Sequence, residues 1–454
     1  MPSTAAHRVR RGIVVAIGTV VILGLGVYGP ATLLGPLPAA TTTVIDVPAT
    51  ASGAVAPSLP STGASGVTVA SSEAGGAGSA GSGTPAPAAP PAGSVVTAGI
   101  TDPVPLGGST KIITALVVLS EHPIVDGTDG SPVVITAEDY ADYVAYISQS
   151  ARAVSFIANE SWSERDMLRA MLLGSSNNHS DALARWAFGT MDGYLAAAKT
   201  WLAAKGMTGT TVVDATGLSE GSVGTPSDLT RIAQLAFETP VIAEIMAQGS
   251  ATLLGNRQVE NLATYLPDLG VTGLSLSYTD EAGLCLLYRA VVPVAGGATT
   301  GGDAAGGGDA AASTDPGTAT IYGALLREPD YPTLEADLTA LVSSASAGLK
   351  PTALTTEGTA YVEYETAWGQ MAKGTAASTE SRMLWATAPV EHSVSPMTVT
   401  TARAGSSVGS VTFPLPGGPV AVPLTLDSAL TDPGPLWRLS HPIETISTFI
   451  ASLG

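Results

Sequence analysis

Apolar and polar residues follow two spacings along this chain, and the two predict helices and strands in different regions. Apolar positions recur at helical spacing in several stretches. These stretches are Lys111–Leu119, Arg165–Leu173, Asp181–Phe188, Gly193–Lys205, Leu229–Glu238 and Leu334–Ser343. Ser163 precedes the second of them and Asp166 follows three residues later, which is close to a capping box.

Four β-like segments form two predicted strand pairs, each interrupted by a low-complexity run. The segments Gly66–Ala70 and Ser94–Ala98 flank a Gly/Ser/Pro/Ala run at 73–92. In the same way, Leu284–Val294 and Thr318–Leu326 flank a Gly/Ala/Thr/Asp run at 295–317. Loop-closure entropy grows only logarithmically with length, so long loops between paired strands cost little. We therefore expect both runs to be loops and each flanking pair to be paired strands.

The C-terminal part of the chain has a different pattern. From about Pro351, short alternating segments such as Ala360–Tyr364 and Val420–Leu424 lie between Gly/Pro turns. This pattern predicts a small all-β domain over residues 351–454.

The N-terminal region predicts export with a retained membrane anchor. Three arginines in residues 1–12 precede an apolar run, Ile13–Leu34, whose 22 residues would span about 33 Å as a helix. The first acidic residue is Asp46, so residues 1–12 are expected to stay cytoplasmic and the folded domains to lie outside a cell membrane. Residues 35–57, rich in Pro, Ala and Thr, are expected to be a linker. The alternative is a cleaved signal peptide, for which Leu37–Ala40 offers small residues; we prefer the anchor because signal-peptide cores have only about 7–15 residues.

Charge and composition exclude several classes of function. The formal net charge is -19 and the basic residues are scattered, so the sequence lacks the basic patch that nucleic-acid binding needs. The single cysteine, Cys285, excludes a disulfide framework, and its apolar neighbours predict a buried residue. The five histidines have no metal-ligand spacing such as HExxH. No metal and no cofactor are expected.

Three short motifs occur in a recognisable order and spacing. The first is Gly108-Ser109-Thr110-Lys111, and the second, Ser175-Ser176-Asn177, starts 64 residues after the lysine. The third is Ser275-Leu276-Ser277, 100 residues further on, and it is followed by Tyr-Thr-Asp-Glu-Ala-Gly. In these motifs and their intervals the chain resembles the serine D-alanyl-D-alanine carboxypeptidases, which are low-molecular-weight penicillin-binding proteins that trim peptidoglycan stem peptides.

The resemblance implies an α+β fold and a peptidoglycan-related function. A carboxypeptidase-like domain over 58–350 should place a helical cluster against a five-stranded antiparallel sheet, and a β-rich domain over 351–454 should follow. The expected partners are a peptidoglycan stem peptide or a cell-wall enzyme.

Two of the three motifs depart from the family pattern. Family enzymes have Ser-x-x-Lys in the first motif, and its serine becomes acylated; here that position is Gly108. Lys-Thr-Gly is expected in the third motif, where Ser275, Leu276 and Ser277 occur instead. No lysine lies between Lys205 and Lys350, so a shift in register cannot supply the cation expected to bind the substrate carboxylate.

The residues that remain from the family site are Lys111, Ser175 and Asn177. Lys111 could be catalytic or structural. We expect the structural role, in which it bonds to Asn177 and to a backbone carbonyl. Ser175 is open to two interpretations, a helix cap or a proton shuttle. Ser275 and Ser277 have the alternation of ordinary edge-strand positions.

Three functions remain open at this point. The sequence favours a non-catalytic carboxypeptidase-like protein that binds peptidoglycan or a cell-wall enzyme through the old cleft. An active hydrolase would need Ser109 or Ser175 as its nucleophile. A structural cell-wall scaffold with a vestigial cleft is the third possibility.

Overall fold

The computed structural model describes residues 4–21, 26, 28–49, 55–70, 95–294, 317–385, 390–415 and 418–451. The expected loop at 73–92 lies outside these residues. So does the expected loop at 295–317, apart from Gly317.

The helices are concentrated in the middle of the chain. Their bounds are α1 Thr4–Val21, α2 Gly29–Leu33, α3 Thr110–Glu121, α4 Ala137–Ser148, α5 Glu164–Leu172, α6 Asn177–Phe188, α7 Met191–Ala204, α8 Pro226–Glu238, α9 Pro240–Met246, α10 Tyr331–Gly348, α11 Pro435–Ser440 and α12 Pro442–Ala451. The six predicted helices are present as α3, α5, α6, α7, α8 and α10. Ser163 caps α5, because its side chain accepts a hydrogen bond from the amide of Asp166.

The strands lie mainly in the second half of the chain. Their bounds are β1 Thr41–Val44, β2 Ala64–Val69, β3 Val96–Gly99, β4 Val104–Pro105, β5 Pro132–Val134, β6 Ser161–Ser163, β7 Val223–Gly224, β8 Ser250–Leu253, β9 Arg257–Glu260, β10 Val271–Thr279, β11 Gly283–Val294, β12 Gly317–Glu328, β13 Lys350–Thr355, β14 Ala360–Glu365, β15 Met371–Ala376, β16 Glu380–Leu384, β17 Ser393–Pro396, β18 Ser407–Leu415 and β19 Gly418–Leu426.

A five-stranded antiparallel sheet forms the centre of the first domain, as expected. Its strand order is β10-β11-β12-β2-β3, so β10 is an edge strand. Both predicted pairs are confirmed, because β2 pairs with β3 and β11 pairs with β12. Alternate residues of β11 enter two different cores: Cys285 and Leu287 face the helical cluster, whereas Leu286 and Tyr288 join the core that contains α10.

Helix α3 lies at the centre of the helical side. It packs against α5, α6, α7 and α8, and residues 110–119 are all buried. A helix that is apolar on nearly every face is stable only when other elements surround it. This burial carries Lys111, near the N-terminus of α3, into the interior.

The C-terminal region is rich in sheet but is not all-β. Its six-stranded antiparallel sheet has the order β1-β14-β15-β19-β18-β17 and encloses a core of its own. Beyond β19 the chain forms α11 and α12, so the prediction of an all-β domain is wrong for this last part. The segment Trp437–Leu439, expected to belong to the β-rich domain, lies in α11.

The expected linker at 35–57 is partly wrong. Thr41–Val44 forms β1, which pairs with Val362–Glu365 at the edge of the C-terminal sheet. Leu37 and Ala40 are buried beside it. Burial of apolar side chains and backbone pairing together order a segment that composition alone assigns to a spacer.

The expected transmembrane segment is described only in part. Residues 4–12, which belong to the expected cytoplasmic tail, form the start of α1. Five positions of the span Ile13–Leu34, namely 22–25 and 27, are outside the described residues. Within the described part of the chain, no helix combines the length and the apolar character needed to cross a membrane.

Candidate active site

The first motif forms a tight turn that leads directly into α3. Gly107–Ser109 is a 3₁₀ turn, in which Gly107 has a φ of 52°, a backbone conformation that favours glycine. The amide of Gly108 donates a hydrogen bond to Oγ of Ser277 on β10, at 3.0 Å. A Cβ atom added to Gly108 would lie 2.8 Å from Cβ of Ser277, which is closer than two such atoms approach in proteins. Position 108 therefore has no side chain and no room for one.

Lys111 faces the position that lacks a side chain. A Cβ atom on Gly108 would lie 3.7 Å from Nζ of Lys111, so the i to i+3 spacing brings the two positions together as expected. Nζ donates to the carbonyl oxygen of Thr216 at 3.0 Å, which confirms the expected backbone partner. Burial lowers the pKa of Lys111 to about 8, while the charges of Asp214 and Asp181 act in the opposite direction.

Thr216 is held in place by the loop around Asp214. The Asp214 carboxylate accepts hydrogen bonds from Thr216 Oγ1 at 2.8 Å, from the Leu218 amide at 2.9 Å and from Ser222 Oγ at 2.6 Å. A Cβ atom on Gly217 would lie 1.7 Å from the carbonyl oxygen of Gly107, so this loop and the first-motif turn can meet only with glycine at 217. The role of this loop in orienting the Lys111 acceptor was not predicted from the sequence.

Ser109 does not lie in an accessible position. Its side chain is fully buried, and its Oγ has no hydrogen-bond partner among the described residues. A substrate could reach this hydroxyl only after a change in the backbone.

The second motif is only partly arranged as expected. Ser175 has a φ of 50° and lines the cleft, but the N-cap position of α6 belongs to Ser176, so Ser175 is not the helix cap. Asn177 is buried, and in the described part of the chain its Oδ1 has no hydrogen-bond partner. The expected bond between Lys111 and Asn177 is therefore not formed.

Ser176 and its neighbours form a buried network that was not predicted. Ser176 Oγ lies 2.7 Å from Asn178 Oδ1, to which it donates, and 2.8 Å from Nδ1 of His179. The amide of Val154 donates to Ser176 Oγ at 3.1 Å, and the Asn178 side chain donates to the Val154 carbonyl at 2.9 Å. Burial lowers the pKa of His179 to about 3, so its ring is neutral at physiological pH. The network joins the second motif to the preceding loop.

Asp181 is a second buried titratable group on α6. Tyr146 donates its hydroxyl to Asp181 Oδ2 at 2.5 Å. Burial nevertheless raises the pKa of Asp181 to about 6. The sequence offered no signal for this pair, because the two residues are separated by 35 positions and lie on different helices.

The third motif lies on the edge strand β10, as expected. Ser275 and Leu276 line the cleft, and Leu276 packs against both hydrophobic cores of the first domain. Ser277 instead contacts the first-motif turn. Cys285, on the neighbouring strand, is fully buried as predicted, and burial raises the pKa of its thiol to about 11.

Little free space remains between the three motifs. The cleft has about 10 Å³ of space for solvent, which is close to the volume needed for one water molecule. Gly108, Lys111, Ser175, Ser275 and Leu276 line it, together with apolar side chains. The arrangement places a buried amine beside a position that has no side chain.

Comparison with known proteins identifies a related family. A sequence profile described as D-alanyl-D-alanine carboxypeptidase matches residues 92–294, which include all three motifs. Over these residues the chain is similar to the D-alanyl-D-alanine carboxypeptidase family.

Two curated relatives of the family align with less than half of the chain. The D-alanyl-D-alanine endopeptidase of Pseudomonas aeruginosa is 30% identical over 200 residues, which is 42% of this chain and 60% of that protein. The D-alanyl-D-alanine endopeptidase of Escherichia coli is 28% identical over 202 residues, which is 42% of this chain and 62% of that protein. The chain thus spans about three fifths of the length of these relatives.

Solved structures of penicillin-binding proteins share the fold. Penicillin-binding protein 5 from Haemophilus influenzae superimposes with a TM-score of 0.55 at 15% identity, covering 84% of this chain and 100% of that structure. The D-alanyl-D-alanine carboxypeptidase DacD from Francisella tularensis gives a TM-score of 0.53 at 13% identity, covering 86% of this chain and 98% of that structure. The α+β architecture expected from the resemblance is confirmed.

Proposed function

We propose that this protein is a non-catalytic D-alanyl-D-alanine carboxypeptidase-like protein of a cell envelope, linked to peptidoglycan. The observation that carries the proposal is the first motif, where Gly108 occupies the position of the nucleophile and Ser277 fills the adjacent space. An acyl-enzyme requires a hydroxyl held about 3 Å from a base and beside backbone donors. Gly108 supplies no hydroxyl.

An active serine peptidase is the second candidate. It is supported by Ser175, which lines the same small cavity as Lys111. With a pKa of about 8, Lys111 is partly neutral near neutral pH and could accept a proton. Ser109 is the weaker nucleophile of the two because it is fully buried.

How the protein would be linked to peptidoglycan depends on the cleft. A stem peptide could bind along the edge strand β10 by backbone pairing, but the family cation for its carboxylate is replaced by Ser275. The small volume of the cleft favours a scaffold that contacts a cell-wall enzyme through another surface.

We also propose that the folded domains lie outside the cell membrane, with the N-terminal segment as a single-pass anchor. The support is the order of basic and apolar residues before Asp46. Protease added to intact cells should digest the protein beyond about residue 40 and leave a short N-terminal fragment. Release of the protein into the medium with an N-terminus near Thr41 would instead support a cleaved signal peptide.

The activity proposal is tested with the full chain and a labelled β-lactam. We expect its intact mass to stay unchanged and no D-alanine to be released from a stem-peptide substrate. If an adduct forms, peptide mapping identifies its residue, and a Lys111→Met chain treated in parallel reports whether acylation needs the buried amine. An adduct on Ser175 or Ser109 that disappears in Lys111→Met would establish the active peptidase and overturn the non-catalytic proposal.

A further inference from the structure

Two departures from the family pattern meet in space. The first motif has lost a side chain at Gly108, and the third motif has gained one at Ser277, where the family has glycine. Although these positions are 169 residues apart, Ser277 occupies the space beside Gly108: a Cβ atom on Gly108 would lie 2.8 Å from Cβ and 3.2 Å from Oγ of Ser277. The Ser277 side chain thus occupies the space that a side chain at position 108 would need.

The contact also occupies a backbone donor. The Gly108 amide belongs to the turn at the start of α3, and it donates to Ser277 Oγ at 3.0 Å. Backbone amides of this kind, beside a nucleophile position, are the donors that bind the carbonyl oxygen of an acyl substrate. A donor already bonded within the protein is not free to bind a substrate carbonyl.

We propose that Ser277 is the residue that determines what the cleft admits. Its hydroxyl and the Gly108 amide form a contact, here called the Ser277–Gly108 latch, that closes the cleft to acyl-D-alanyl-D-alanine peptides. This inference rests on the proposed function, because it takes the peptide class from the family. Gly108, one member of the latch, lines the cleft beside Lys111, Ser175 and Ser275.

The surroundings allow the latch to open locally. Leu276 holds β10 against both cores, whereas the next residues outward are more accessible: Ser277 is half-buried and Tyr278 is 60% exposed. Strand β10 has no further strand beyond it among the described residues. Removing the Ser277 side chain should therefore free the Gly108 amide without disturbing the core.

Amide hydrogen exchange of the full chain tests the latch directly. In Ser277→Ala, which keeps Cβ and removes the hydroxyl, we expect the Gly108 amide to exchange at least about tenfold faster than in the unmodified chain. Ser277→Thr keeps the hydroxyl and should retain slow exchange. Ser275→Ala removes a hydroxyl from the same strand without touching Gly108, so it should leave the Gly108 rate unchanged. Equal rates in the unmodified chain and Ser277→Ala would overturn the latch.

Peptide binding tests its consequence. With N-acetyl-L-lysyl-D-alanyl-D-alanine as the probe, we expect no shift of the Gly108 amide resonance in the unmodified chain. Ser277→Gly should bind the probe at least about tenfold more tightly than the unmodified chain, with a shift of the Gly108 amide resonance. Ser277→Ala should show the same shift but bind the probe less tightly than Ser277→Gly. Equal affinity in the unmodified chain and both variants would overturn the proposed role. A covalent β-lactam adduct on Ser175 would contradict the proposed function but not the exchange result, so the two failures are distinguishable.

Discussion

The backbone amide of Gly108 donates to Oγ of Ser277 at 3.0 Å, and this bond joins the first and third motifs across the cleft. Because Cβ of Ser277 would be only 2.8 Å from a Cβ atom on Gly108, the two positions cannot both carry side chains in the present backbone. The identity of either residue therefore limits the other. A side chain at position 108 must therefore displace Ser277 or be accompanied by a smaller residue at 277.

The first prediction concerns stability. Gly108→Ser alone should lower the free energy of unfolding by about 1–3 kcal/mol, because the new side chain overpacks against Ser277. Adding Ser277→Gly should recover most of that loss, giving a favourable coupling of about 1 kcal/mol or more. The measurement is a double-mutant cycle by urea unfolding, with Ser277→Gly alone as the control. Strictly additive effects would mean that the backbone relaxes and the two positions are independent.

The second prediction concerns acylation. The fourfold change Gly108→Ser, Ser275→Lys, Leu276→Thr and Ser277→Gly should form a covalent β-lactam adduct, because it restores a nucleophile, a cation and space together. Gly108→Ser alone should react slowly at most. Intact-mass analysis over time gives the rate for each chain.

The matched control adds Lys111→Met to the fourfold variant and should abolish the adduct if Lys111 is the base. Acylation that persists in this control would exclude Lys111 from that role. Equal acylation of the fourfold variant and Gly108→Ser alone would contradict the expected cooperation between the motifs.

The third prediction concerns the charge of Lys111. Burial lowers its pKa from 10.5 to about 8 in the folded protein, so between these values the unfolded chain binds more protons than the folded chain. The free energy of unfolding must then rise with pH across this window, by up to about 2–3 kcal/mol. Below about pH 8 the full cost of burying the cation is present.

The effect is isolated by comparison with Lys111→Met. Unfolding midpoints at about pH 7 and about pH 10 should show the unmodified chain gaining stability relative to this variant. Lys199→Met, which removes an exposed lysine from α7, should track the unmodified chain at both values. A constant difference between the unmodified chain and Lys111→Met would show that Lys111 titrates normally.

Local patterns predicted the parts of the fold in which neighbouring residues carry the signal. The apolar run at 284–294 defined β11, and helical spacing located α3 and α8. Helix α4 was missed although Thr136 and Asp139 form a capping box at its start, which is a sequence signal for a helix N-terminus. Two of its apolar side chains, Val144 and Ile147, are about half exposed.

For the site, the sequence supplied the residues but not their partners. Gly108, Lys111 and the third motif were found from their order and spacing. The bond between Gly108 and Ser277 joins positions 169 residues apart, and no local pattern reports such a contact. The Ser176–His179 contact is local, but whether its members are buried depends on packing against Phe156 and Trp162.

Strand β1 is the clearest case of a segment ordered by distant partners. All of its positions, Thr41–Val44, are exposed, so the strand has no buried face. Its sequence therefore lacks the apolar alternation that predicts a strand, and its composition indicates a spacer. Its order comes from pairing with β14, more than 300 residues away, and from the buried side chains of Leu37 and Ala40. The flanking amides of Ala40 and Ile45 donate to the carbonyls of Val399 and Tyr361 at 2.7 and 2.8 Å.

The last prediction follows from this arrangement. A chain that starts at residue 46 lacks β1 and the buried residues before it, whereas a chain that starts at residue 35 keeps them. Loss of the buried Leu37 and of the backbone bonds should destabilise the C-terminal sheet by about 2–4 kcal/mol. Limited proteolysis across a urea series, with the fragments mapped by mass, should show cleavage within 351–454 at lower urea for the shorter chain. Both chains lack the contact of Tyr28 with Leu439, so that contact cannot cause the difference. Identical cleavage profiles would mean that β1 adds nothing to the sheet and that residues 35–57 act as a spacer after all.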